Sequence, residues 1–182
     1  VDAFETYGMT ETLSHIAVRS MYDPPSEFKC LPNITIGQDS RGCLIVDALK
    51  IGVKNLITND EVELLNSNRF RLIGRVDHVI NSGGIKIHPE QLERKLSETL
   101  SLHYFIGSLP DQELGKKVIL AVREDEKIDE ELLITTIRKM ETLTKAERPK
   151  SLLFFKEFVQ THSGKIIREK TLAQKPLRIL NL

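Results

Sequence analysis

Four short stretches of this 182-residue chain combine residue types that suit chemistry. In "YGMTETLSH", Tyr7 to His15, an aromatic ring, a glycine, a hydroxyl and a carboxylate follow closely on one another. Such a set can hold a flat ring, hydrogen-bond a phosphoryl oxygen through Thr10 and offer Mg2+ a hard oxygen ligand through Glu11. It also suits a polar turn that caps a helix. In "TNDEV", Asp60 comes just after an apolar strand, where a carboxylate can bind a diol or belong to a turn of the kind Asn and Asp favour. "GRVDHVINSGGIKIHPEQLE" joins Arg75, Asp77 and the Gly83–Gly84 pair to a helix start. Glycines there can admit a thin ligand chain or form a hairpin turn. In "THSGKIIREK", Ser163 reads as a helix N-cap, and Ile166, Ile167 and Leu172 read as the apolar side of the following turns. Lys165 is then expected in the first turn of that helix, although cations are better placed at helix C-termini. A lysine behind the permissive Gly164 suits a mobile cation set against a phosphate. The stretch is not a Walker phosphate loop, because the first glycine of that pattern is missing.

The elements that must position these residues can be read from periodicity. Residues 1–73 are mostly short apolar runs broken by Gly, Asn and Asp, which predicts strands and turns. That segment reads as too small and too rich in strands to bury its faces alone. "NSGGIKI" predicts a glycine-broken turn between short strands. A helix follows, with Pro89 at its first position and Ile87 stapled onto Leu92 across the His88 cap; Leu92, Leu96 and Leu100 form its buried face. "YFIGSLPD" and "KKVILAVRE" predict two strands. A second helix starts at Asp129, with Ile128 stapled onto Leu133 and a face of Leu133, Ile137 and Met140. "RPKSLLFFKEF" predicts a further strand, since the residue before a proline is pushed out of helix. The fold class is α+β. The expected division is a β-rich part over residues 1–75 and a small α+β domain with its own core over 76–182.

Composition narrows the class. Apolar residues at 40% and charged residues at 29% are globular values. Lys plus Arg equals Asp plus Glu at 26 each, so no bulk charge points to nucleic acid or an anionic membrane. No apolar run approaches the ~20 residues of a membrane span, and no signal-peptide pattern opens the chain. Cys30 and Cys43 have neither metal-ligand spacing nor the density of a disulfide scaffold. The five histidines form no metal-binding motif. The expected setting is a reducing cytoplasm. The chain opens "VDAFETYG" without an initiator Met, which reads as a piece of something longer.

"YGMTET", "TND", "GRVDHVINSGGIKIHPEQLE" and "SGKIIR" occur in the order typical of adenylate-forming enzymes, and the chain resembles that superfamily from Tyr7 to Arg168. Its members include acyl-CoA synthetases, carrier-loading adenylation domains and luciferases. The resemblance implies a remnant of a large AMP-binding domain followed by a small C-terminal lid domain, with ATP/AMP, Mg2+ and coenzyme A as cofactors and a carboxylic acid as substrate. Tyr7, beside Gly8, would stack on adenine; Thr10 would contact the AMP phosphate, and Glu11 would hold Mg2+. Asp60 and Arg75 would hold the ribose hydroxyls, and Asp77 would be the hinge. Gly83 and Gly84 would line the pantetheine tunnel, and Lys165 would bridge the carboxylate and the α-phosphate. Asn59 stands where the family has glycine, which would alter the turn at Asp60. The glycine-rich phosphate loop that relatives carry upstream is not in this chain, so its N-terminal partner would be the rest of the same enzyme. Within the superfamily the motifs most resemble the o-succinylbenzoate–CoA ligase group of menaquinone biosynthesis. Alternatives are transfer to a carrier protein, or a non-catalytic α+β binding module.

Overall fold

Short alternating runs separated by turn residues become seven strands in the first part of the chain: β1 (Phe4–Gly8), β2 (His15–Ser20), β3 (Phe28–Cys30), β4 (Thr35–Gln38), β5 (Cys43–Ala48), β6 (Val53–Asn66) and β7 (Arg69–Arg75). The computed structural model describes residues 2–22, 27–124 and 128–182. It divides into two compact units, Val1–Asp77 and His78–Leu182. In the first unit the strands form one antiparallel sheet ordered β1-β2-β3-β7-β6-β5-β4. The expectation that this part is too small to bury its faces is overturned. Tyr7, Ile16, Phe28, Leu44, Val46 and Phe70 are buried in one apolar cluster. Phe28 and Phe70 stack with ring centroids 5.3 Å apart and planes 20° from parallel. The physical reason lies in β6, whose ladders to β5 and β7 both contain register shifts. Bulges raise local twist, and the apolar residues of the strands gather into that one cluster, flanked by Met9, Ile34, Val53, Leu56, Leu64 and Leu72.

The second unit begins with a hairpin, β8 (Ile80–Ser82) and β9 (Ile85–Ile87), followed by α1 (Pro89–Ser97), β10 (Tyr104–Asp111), β11 (Gly115–Arg123), α2 (Glu130–Lys139), β12 (Ser151–Phe155), α3 (Arg168–Leu172) and β13 (Arg178–Asn181). Its sheet has the order β10-β11-β12-β13. β11 and β12 are parallel and connected through α2, while the outer pairs are antiparallel. Strand periodicity sorts β11 between two cores. Val118, Leu120 and Val122 join Leu92 and Leu96 of α1 and Leu133 and Ile137 of α2. Ile119 and Ala121 join Phe105, Leu153, Phe155 and Phe158 on the other face. The α2 cap is as expected, with the Asp129 carboxylate accepting from Leu132 N–H at 3.0 Å. Cys30 and Cys43 are buried free thiols. No helix among the described residues is long and apolar enough to cross a membrane.

Candidate functional site

The first unit brings Tyr7, Asp60, Arg75 and Asp77 into one polar chain. The Tyr7 hydroxyl donates to Asp60 Oδ2 at 2.5 Å. Arg75 Nη1 lies 3.5 Å from Asp60 Oδ1, and its Nε and Nη2 donate to the two oxygens of Asp77 at 2.9 and 2.6 Å. Asp60 is not in a turn, as the Asn-Asp sequence suggested. It lies within β6, where Ile57 pairs with Ile45 but Glu61 pairs with Cys43. Thr58, Asn59 and Asp60 therefore stand opposite Leu44 alone, and this bulge aims the carboxylate. A second hydrogen bond, from Asp60 N–H to Thr58 Oγ1 at 3.1 Å, fixes the bulge. Asn59 needs no glycine-like conformation here, since its φ is not among the positive ones. Its side chain accepts from Arg41 at 3.3 Å.

Tyr7 departs from the expected stacking platform. Its ring is only 8% exposed and lies against Phe70 at 5.2 Å and Phe28 at 5.7 Å. It therefore offers almost no face to a ligand in this arrangement, and its polar handle points to Asp60. Burial, and then the hydrogen bond and charge of Asp60, push the phenol well above its ordinary range, so it stays a donor. Asp60→Ala should leave that hydroxyl without its acceptor and cost the first unit about 1–3 kcal/mol. Chemical denaturation of Asp60→Ala, Tyr7→Phe and the double variant tests this; the double should cost less than the sum of the singles.

Gly8 ends β1 rather than making a turn. A Cβ there would sit 2.5 Å from Ser14 O and 2.6 Å from His15 Cα, so only glycine permits this approach of two backbones. Thr10 and Glu11 are exposed on the short 3-10 turn Thr10–Thr12. Sequence reasoning missed the residue that shapes that turn. Thr12, 1% exposed, accepts from Met9 N–H at 3.1 Å and places its hydroxyl 2.9 and 2.8 Å from the Met9 and Ser14 carbonyls. The only sequence signal was a hydroxyl three residues after Met9, a common capping spacing. Among the described residues no group of three or more His, Cys, Asp or Glu is gathered for a metal ion. A lone exposed carboxylate such as Glu11 suits Mg2+ that arrives on phosphates, where one or two carboxylates suffice.

In the second unit, Gly83 and Gly84 form the two-residue loop between β8 and β9, with φ of +56° and +81°. Two positive φ values in a two-residue loop are the requirement of a type I′ hairpin turn. Gly83 N–H also donates to Leu114 O at 2.9 Å. Lys165 is not in the first turn of a helix. α3 starts at Arg168, after Ile167. Residues 161–165 instead form a tight turn, because backbone pairing overrides the Ser163 signal. Thr161 N–H donates to Lys165 O at 2.8 Å, and Gly164, at φ +81°, donates to Thr161 O at 3.0 Å. Ser163 Oγ meets Thr161 Oγ1 at 2.9 Å instead of capping a helix. The base of the turn is held by the Gln160–Ile166 bridge. It is held also by buried Thr171, which accepts from Val159 N–H at 3.0 Å and donates to Ile167 O at 3.1 Å. Lys165 itself closes the turn with its backbone, and its side chain is exposed.

No family model matches the chain. Over 96% of its length it superposes on the o-succinylbenzoate CoA synthetase of Bacillus subtilis, solved with an acyl-adenylate intermediate, with a TM-score of 0.79, at 20% identity and across 42% of that chain. The fold is that of an adenylate-forming enzyme. Curated relatives include 3-oxocholest-4-en-26-oate–CoA ligase of Rhodococcus rhodochrous, 27% identical over 63% of the chain. Mitochondrial acyl-coenzyme A synthetase ACSM5 of Rattus norvegicus is 32% identical over the same share. Each relative is covered over 21% of its own length, so the chain spans about a fifth of the curated proteins it matches.

Proposed function

We propose that the chain is part of an AMP-forming acid–thiol ligase. A carboxylate oxygen attacks the α-phosphorus of ATP, forming an acyl-adenylate as the bond to pyrophosphate breaks. The thiol of coenzyme A then bonds to the acyl carbon, AMP leaves with the electrons of the carbon–oxygen bond, and the thiol proton goes to solvent. In the first unit, Asp60 and Arg75 hold the ribose hydroxyls, and Thr10 meets the α-phosphate. Tyr7 and Gly8 shape the nucleotide pocket, Tyr7 by holding Asp60. Glu11 would ligate Mg2+, which when bound would neutralise charge on the phosphoryl oxygens. Lys165 stabilises the charge that develops as the carboxylate attacks. Asp77 is the hinge residue, and the Gly83–Gly84 turn flanks the path of the pantetheine arm.

The observation that supports this reading most lies within the first unit, where Asp60 is held at 2.5 Å by the Tyr7 hydroxyl and faces Arg75 Nη1 at 3.5 Å. We take the acid to be o-succinylbenzoate, from the motif likeness and the shared fold. The test is ATP–pyrophosphate exchange by the full-length protein with o-succinylbenzoate, aliphatic acids and a steroid side-chain acid. Exchange with o-succinylbenzoate is the expected result, and a preference for another acid corrects the substrate while keeping the reaction. The 182-residue chain alone should show no exchange, since it carries no phosphate loop. Exchange by the isolated chain would overturn the reading of it as one part of the enzyme.

A further inference from the structure

Arg168 is the first residue of α3, three positions beyond Lys165, and its guanidinium is engaged on several sides. Nη1 donates to Ile106 O at 3.1 Å, and Nη2 donates to Glu93 Oε2 at 3.0 Å and lies 3.5 Å from Glu90 Oε1. Its carbon also sits 5.9 Å from the centre of the Phe105 ring. Glu93 uses its other oxygen to accept from Ile106 N–H at 2.7 Å. Glu90 Oε1 in turn meets His78 Nδ1 at 2.5 Å. Burial raises the Glu93 carboxyl against the pull of Arg168; burial also acts upward at Glu90, but the hydrogen bond of His78, that of its own N–H and the charge of Arg168 together outweigh it and lower that carboxyl. One fork therefore joins the start of α3 to α1 and β10, and Glu90 extends the chain to the first residue of the second unit. A surface ion pair made only for solubility would not spend a bidentate arginine on a backbone carbonyl and two partly buried carboxylates.

We infer that Arg168 is a positioning residue: it anchors the Lys165 turn to α1 and β10, and through Glu90 ties that turn to His78 at the entry of the second unit. This rests on the ligase reading for its effect on rate, but not for its effect on the turn. The first measurement therefore needs no reaction. In the 182-residue chain, Arg168→Gln should raise the rate of tryptic cleavage after Lys165 by about tenfold, the loss expected for a charged hydrogen bond. Cleavage at wild-type rate in a folded Arg168→Gln chain would overturn the inference. If that variant does not fold, Arg168→Met with Glu93→Gln removes both charges together and keeps an acceptor for Ile106 N–H. The second measurement uses the full-length enzyme. Arg168→Gln should slow adenylation and spare thioester formation from preformed adenylate, and it should add nothing in a Lys165→Ala background. Additive losses, or equal losses in both half-reactions, would make Arg168 merely structural. Absence of exchange in the wild-type enzyme would overturn the ligase reading instead, and the cleavage measurement alone then decides the role of Arg168.

Discussion

Lys165→Ala in the full-length enzyme is expected to slow acyl-adenylate formation by about a hundredfold or more, the usual cost of deleting one positioned electrostatic group. Thioester formation from preformed adenylate should be nearly unchanged. The asymmetry follows from the proposed role, in which Lys165 meets the α-phosphate only while the carboxylate attacks and is withdrawn before the thiol displaces AMP. Folding should not suffer. The side chain is exposed, and the turn is closed by the Lys165 backbone, whose N–H donates to Thr161 Oγ1 at 3.1 Å and whose carbonyl accepts from Thr161 N–H. Stability should change by less than about 0.5 kcal/mol, as at other exposed positions. Single-turnover assays of each half-reaction, with a denaturation curve for the variant, check both parts. Equal loss in the two half-reactions would remove the proposed role.

Phe70→Ala should produce the largest loss of stability of any substitution considered. The ring is fully buried, 0% exposed, and removing such a ring costs about 3–5 kcal/mol. Its neighbours make the effect more than a stability effect. Phe70 supports Tyr7 edge-on at 5.2 Å and stacks on Phe28, so the cavity opens beneath the phenol that holds Asp60. Calorimetry or urea denaturation of the chain should show the lower stability. Nucleotide affinity of the folded full-length variant should fall as well. Phe70→Leu, which refills most of the space, should recover stability further than it recovers affinity, because Leu cannot support the Tyr7 ring in the same way.

Local signals explain which elements could be read in advance. The start of α1 was legible because Pro89, the His88 cap position and the Ile87–Leu92 pair all lie within one turn of each other. The start of α2 was legible for the same reason, from Asp129. What could not be read depended on partners distant in the chain. Ser163 looked like an N-cap because nothing nearby announces the Gln160–Ile166 bridge or the grip of Arg168 on β10. Asn59 and Asp60 looked like a turn because turn preference is local, whereas a bulge is a mismatch between two strands. Tyr7 looked like a stacking surface because its two ring neighbours, Phe28 and Phe70, come from other strands. The motifs thus named the candidate residues, and long-range packing decided what their side chains touch.

The turn that carries Lys165 is pinned from below by Thr171 and the Gln160–Ile166 bridge, and its lysine side chain stands exposed to water. Physically this is an ion on a short tether. A tether fixes a local concentration, on the order of millimolar for short flexible links, within a sphere set by the length of one side chain. Moving the anchor moves the whole sphere, while the side chain needs no reshaping. A cation held this way can be supplied to a reaction or withdrawn from it by displacing its support alone, and its charge remains constant throughout.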